Sequence, residues 1–190
     1  PAATTVIDRD MISASGAREL VDLFRLVPGF QVGYANGHWQ TVTYHGLADT
    51  YAKRLQVLVD GRSIYTPAFG GVQWSDLPLA LDDIERIEVI RGPNMASYGA
   101  NAFQGVINII TRHASQDAGT RIKAIAGSKG VAEGFLRHGG TNGNLDYRFT
   151  VGHREDNGFD NRNDSKRVSL ATLRADYRPN INDTVMFQFG

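Results

Sequence analysis

The stretch Ile84-Glu85-Arg86-Ile87-Glu88-Val89-Ile90-Arg91-Gly92-Pro93, continued by Ala96-Ser97-Tyr98-Gly99-Ala100 and by Gly105-Val106-Ile107-Asn108-Ile109-Ile110-Thr111, decides the fold. Its β-branched runs at 86–90 and 106–110 read as two strands, and Gly92-Pro93 breaks the first. Pro93 can open a short helix over 94–98 without losing a needed N–H, with Gly92, Gly99 and Gly105 permitting sharp turns around it. The glycines do not have the spacing of GxGxxG or GxxxxGK[ST], so a phosphate-cradling loop is not indicated.

Outward from that stretch, the chain before it mixes helix and strand signals. Thr5-Val6-Ile7 is a short β-prone run. Ser13 or Ser15 is placed to cap a helix whose apolar stripe is Ala17, Leu20, Val21, Phe24 and Val27, ended by Pro28-Gly29. Leu55 to Val59 reads as a mostly buried strand, and Asp60-Gly61 as a type I′ hairpin turn that needs positive φ at both residues. Arg62 to Tyr65 would return, and Pro78 with Asp82-Asp83 suits a short helical turn. Residues 1–115 are therefore expected to form an α+β domain, a small mixed sheet with short helices.

From about residue 118 only strands and turns remain. Leu145, Tyr147, Phe149 and Val151 alternate with Asp146, Arg148, Thr150 and Gly152; Ala171, Leu173, Ala175 and Tyr177 alternate with Thr172, Arg174 and Asp176; Val185, Phe187 and Phe189 alternate with Met186 and Gln188. Residues 116–190 thus read as about five antiparallel strands of a transmembrane β-barrel. A soluble antiparallel sheet with one wet face has the same alternation. Short connections at 127–130, 140–144 and 179–182, against the long polar run 155–166, favour the barrel.

Composition narrows the function classes. The 190 residues carry 20 Lys+Arg and 20 Asp+Glu, a formal net charge of zero, which lacks the positive footprint of a dedicated nucleic-acid binder. Without cysteine there is no disulfide, thiolate metal site or cysteine nucleophile in this sequence. Nothing resembles a nucleophile elbow, the five histidines do not cluster, and no cofactor, metal site or enzymatic activity is expected. No apolar run is long enough for a transmembrane helix. The start at Pro1-Ala2-Ala3 and the finish inside a strand-like run suggest a piece of a longer exported protein.

The opening stretch closely resembles the plug-domain core of TonB-dependent outer-membrane receptors. Other family motifs appear in order: Thr5-Val6-Ile7 with Asp10-Met11-Ile12, then Asp22-Leu23-Phe24-Arg25-Leu26-Val27-Pro28-Gly29-Phe30, then Val57-Leu58-Val59-Asp60-Gly61-Arg62. The resemblance is dense over 1–113 and generic beyond. It implies a plug seated in the lumen of a roughly 22-stranded outer-membrane barrel. It also implies outer-membrane lipid around the wall, a scarce nutrient such as a ferric siderophore or cobalamin as cargo, and energy from the inner-membrane protein TonB through a segment upstream of Pro1. A non-transporting receptor, signalling or interaction module built on the plug fold is the alternative.

The resemblance assigns Arg91 to the lock between plug and barrel. Where the family usually has a second arginine, this chain has His45, in Tyr44-His45-Gly46. An altered lock would be weaker, pH-sensitive or differently arranged; that His45 simply hydrogen-bonds locally is the favoured reading. Two clusters suit cargo-binding apical loops, because they set aromatic and polar groups around glycines. The first offers Asn36, His38 and Trp39, the second Tyr65, Phe69, Gln73 and Trp74. The run Asp156 to Asp164 is rich in oxygen donors, and some family members hold calcium in an outer loop there. It lacks EF-hand spacing, and a solvated loop is the favoured reading.

Overall fold

A computed structural model describes residues 3–46, 54–66, 68, 70–93, 98–99 and 101–190. The chain divides into two units, Pro1–Leu77 with Leu81–Thr111, and Pro78–Ala80 with Arg112–Gly190.

In the first unit, strands β1 (Ala3–Ile7), β4 (Leu55–Val59), β5 (Arg62–Ser63), β6 (Ile84–Arg91) and β7 (Gly105–Thr111) form one sheet, ordered β1-β6-β7-β4-β5. Only the β4–β7 pairing is parallel. The β-branched runs explain the core. Val89, Ile107 and Val57 lie in register on three adjacent strands, as do Ile7, Ile87 and Ile109, and all six are buried. Asp60 and Gly61 take φ of 47° and 78° between β4 and β5, the two-residue turn that the Asp-Gly pair favours. A second, two-stranded sheet pairs β2 (Phe30–Tyr34) with β3 (Gln40–Tyr44).

The helical region differs from the sequence reading. Helix α1 spans Arg9–Ala14, and its N-cap is Asp8, whose Oδ1 accepts from the Met11 N–H at 2.9 Å. Ser15 closes the helix instead of opening one, its hydroxyl donating to the Ile12 carbonyl at 2.7 Å, and Gly16 at φ 67° turns the chain away. The expected amphipathic stripe lies in a 3-10 helix, Leu20–Leu26, which buries Leu20, Val21, Leu23 and Phe24. At three residues per turn, Leu20 stacks over Leu23 and Val21 over Phe24, so the buried side is built of these two ridges. Further short 3-10 turns cover Trp74–Asp76 and Leu81–Asp83. The helix expected at 94–98 falls largely outside the described residues.

The second unit begins with a 3-10 turn, Ala114–Asp117. An antiparallel meander follows: β8 (Gly119–Ala126), β9 (Ala132–Asn142), β10 (Leu145–Asp156), β11 (Lys166–Tyr177) and β12 (Val185–Phe189). Its two faces are inverted relative to a water-soluble sheet. Asp146, Arg148 and Thr150 are at most 4% exposed, whereas Phe149 between them is 43% exposed. Registration carries the inversion across strands. Phe149, Leu173 and Phe189 form one exposed apolar row, and Ile122 with Leu136 extends that face over β8 and β9. Thr141, Asp146 and Asp176 align on the opposite face. An apolar outside and a polar inside suit a wall between lipid and an aqueous lumen, which removes the soluble-sheet alternative.

Candidate functional site

The first loop cluster is the turn joining β2 to β3. The Ala35 N–H donates to the Trp39 carbonyl at 2.9 Å. Asn36 Oδ1 accepts from the N–H groups of His38 and Trp39, at 2.8 and 2.7 Å. Asn36 therefore spends its oxygen holding the turn, while His38 is exposed and Trp39 half-buried. Below the turn, the Tyr34 hydroxyl donates to Asp22 at 2.8 Å, and Gln40 donates to Glu19 at 3.0 Å in a buried contact. Burial, reinforced by Asp22, raises the Tyr34 phenol above its usual pKa. Local hydrogen bonding thus makes a stiff platform that presents His38 and Trp39.

The second cluster follows β5. Thr66 and Gly71 bridge across the loop, the Thr66 N–H donating to the Gly71 carbonyl at 2.9 Å. Tyr65 and Gln73 are half-buried, and Phe69 lies outside the described residues. Trp74 departs from expectation. It is 4% exposed and meets Phe24 edge-on, with ring centroids 5.3 Å apart. Phe24 continues to Phe30 and Phe30 to Tyr44, so Trp74 joins an internal aromatic chain, and its placement argues against contact with cargo.

The two lock candidates converge on the Pro28–Gly29 turn. Arg91 Nη1 donates to the Pro28 carbonyl at 3.4 Å, and the His45 N–H donates to the Gly29 carbonyl at 2.9 Å. The His45 ring lies against Tyr44, centroids 4.0 Å apart, and its backbone takes a left-handed φ of 55°. The histidine is therefore integrated locally, beside the turn that the arginine also reaches.

In the 156–164 loop the carboxylates already have partners. Asp156 accepts from the Gly158 N–H at 2.9 Å and meets Lys166 at 3.6 Å; Asp164 accepts from the Phe159 N–H at 2.9 Å; Asp160 meets Lys129 at 2.7 Å. Among the described residues no group of three or more His, Asp or Glu is arranged to hold a metal ion.

Two carboxylates escaped the sequence reading. Asp60 was legible only as a turn residue, yet it also receives Thr111, the last residue of β7. Asp117 is surrounded by Arg112, Arg137 and Arg148. No local pattern could flag it, since two of its partners come from β9 and β10.

Residues 1–106 match the family described as TonB-dependent Receptor Plug Domain. The chain is 37% identical over 134 residues to the vitamin B12 transporter BtuB of Vibrio vulnificus, covering 70% of this chain and 21% of that protein. It is 33% identical over 140 residues to BtuB of Photobacterium profundum, covering 74% and 22%. It thus spans about a fifth of the length of these curated relatives. Among solved structures, the ferric yersiniabactin uptake receptor FyuA from Yersinia pestis aligns with 98% of this chain and 30% of its own, at a TM-score of 0.77 and 22% identity. The siderophore receptor PirA from Pseudomonas aeruginosa aligns with 97% and 34%, at 0.71 and 21%. At such identities these two show the fold alone.

Proposed function

The chain belongs to the TonB-dependent receptor family, whose members are outer-membrane proteins and not enzymes, and on that footing we propose that it forms the plug and first wall strands of an importer of a large metal chelate, driven by TonB. The observation that carries this reading is the inverted second unit. Its apolar face is exposed from β8 to β12, whereas on β9, β10 and β11 the polar face is buried at Arg137, Arg148 and Arg174, directly after a plug fold in the sequence. An outer membrane holds no ATP, so the work of opening must arrive mechanically from elsewhere.

Within the plug, His38 and Trp39 on their hydrogen-bonded turn, with Tyr65 and Gln73 on the neighbouring loop, are the groups proposed to meet cargo. A half-buried indole beside an exposed imidazole suits a ligand with both apolar surface and polar or metal-bound oxygen and nitrogen atoms. Asn36 and Trp74 shape these loops from behind. Arg91 and His45, which both reach the Pro28–Gly29 turn, are proposed as the plug's side of its lock to the barrel.

The cargoes of these similar proteins, vitamin B12 for the sequence relatives and ferric yersiniabactin for a structural neighbour, are large chelates of a metal. Uptake of radiolabelled ferric siderophores and cobalamin is measured in cells whose only such receptor is the full-length protein, with and without TonB. Saturable uptake of one class that disappears without TonB is the expected result. Uptake of neither class, or uptake independent of TonB, overturns the reading.

A further inference from the structure

Residues 26–48 and 63–75 contain no lysine, arginine, aspartate or glutamate, although 21% of the protein is charged. The whole β2–β3 hairpin falls in the first stretch, and the loop bridged by Thr66 and Gly71 falls in the second. These are the two loops that carry His38, Trp39, Tyr65 and Gln73. Charged side chains ordinarily gather at exposed positions. Here the exposed positions Ala35, His38 and Ala68 hold none of those four residue types.

The carboxylates beneath the hairpin turn are already engaged. Asp22 accepts from the Tyr34 hydroxyl at 2.8 Å and from Arg25 at 3.3 Å, and the buried Glu19 accepts from Gln40 at 3.0 Å. The turn itself is held by the Asn36 oxygen and the backbone N–H groups of His38 and Trp39, so the His38 imidazole takes no part in holding it. The two loops therefore offer an imidazole, an indole, a phenol and a carboxamide. Each of these can donate or accept a hydrogen bond, and none carries a permanent charge.

We infer that the plug's share of the cargo site selects a metal chelate with an uncharged outer surface, rich in amide or hydroxamate groups, over an anionic catecholate or carboxylate chelate. This rests on the cargo reading proposed above. An anion seated on these loops gives up water without meeting a cation. Trp39 and Tyr65 add ring faces whose quadrupole favours cations and repels negative charge. Neutral amides lose less on leaving water, and Gln73, Tyr65 and His38 supply matching donors and acceptors. Exposed His38 and half-buried Gln73, one on each loop, are the residues assigned to set this selectivity.

The test uses the full-length receptor in outer membranes from cells lacking TonB, where binding is read apart from import. The probes are cyanocobalamin, a neutral ferric trihydroxamate and an anionic ferric tris-catecholate. A neutral probe should bind at least about tenfold more tightly than the catecholate, with an affinity that is the same at low and high salt, since screening acts only on charge. Gln73→Lys and Gln73→Glu should each weaken that neutral probe about tenfold, because a charge of either sign must then be desolvated against an uncharged ligand. His38→Lys and His38→Glu, at an exposed position, carry the same expectation if the Gln73 variants do not reach the membrane. Tighter binding of the catecholate, an affinity that falls with salt, or opposite responses to Lys and Glu overturns the inference. Variants that bind the neutral probe as the parent does also overturn it. TonB-dependent uptake of the catecholate would sink the selectivity and leave the import reading standing. Binding of no probe, or uptake that ignores TonB, refutes the import reading itself.

Discussion

At Tyr34, a single phenol links stability of the first unit to pH. Burial and the Asp22 hydrogen bond raise its pKa above the usual value near 10, so the folded state keeps its proton where the unfolded chain releases it. Its contribution is therefore fully present below about pH 10 and is lost as pH climbs from there toward the raised folded value. Tyr34→Phe should cost about 1–2 kcal/mol near pH 8, since the bond to a carboxylate goes. The variant should also lose stability less steeply above pH 10, in urea denaturation of a 1–115 fragment. Parallel pH profiles for parent and variant would contradict the assignment. Asp60 shows how much a residue can hide at this scale. Its place before Gly61 predicts the turn from backbone preference alone, whereas its carboxylate bonds to Thr111, 51 positions along the chain, appear only in three dimensions.

Among the elements, the strands were the more legible. The runs 86–90 and 106–110 become β6 and β7, the first extended by two residues before and one after, the second by one residue at each end, because β-branched residues suit a buried pleat. The helix was less so. Serine, aspartate and asparagine are all good caps, and Asp8 takes the place expected of Ser13 or Ser15 because Gly16 stops the helix before the apolar stripe begins. In β10, alternation reveals two unlike faces but not which one meets lipid. The exposed Phe149 between buried Arg148 and Thr150 supplies that answer. Phe149→Arg should weaken folding of the full-length protein into lipid vesicles by about 2–4 kcal/mol, and Phe149→Leu should be nearly neutral. Tolerance of the arginine, read from the denaturant midpoint, would show that this face does not meet lipid.

For the whole molecule, the apolar face of β8–β12 and the open edges of its sheet set behaviour in water. Ile122, Phe187 and Phe189 are each more than half exposed, and β8 and β12 each have one strand neighbour. A fragment of residues 1–115 should therefore remain soluble at concentrations where residues 1–190 aggregate, as sedimentation would show. Equal solubility would count against a lipid-facing wall. The sequence by itself determined the order of the plug motifs, the Asp60-Gly61 hairpin, the strand cores and the two-faced character of the later strands. Each of these is written in neighbouring residues through backbone preference and a period of two. Only the tertiary structure decided that the polar face is the buried one, that Trp74 belongs to an internal aromatic chain, and that Asp117 gathers arginines from its own linker and two strands. Burial and charge pairing depend on which distant segments meet, and no local pattern encodes that meeting.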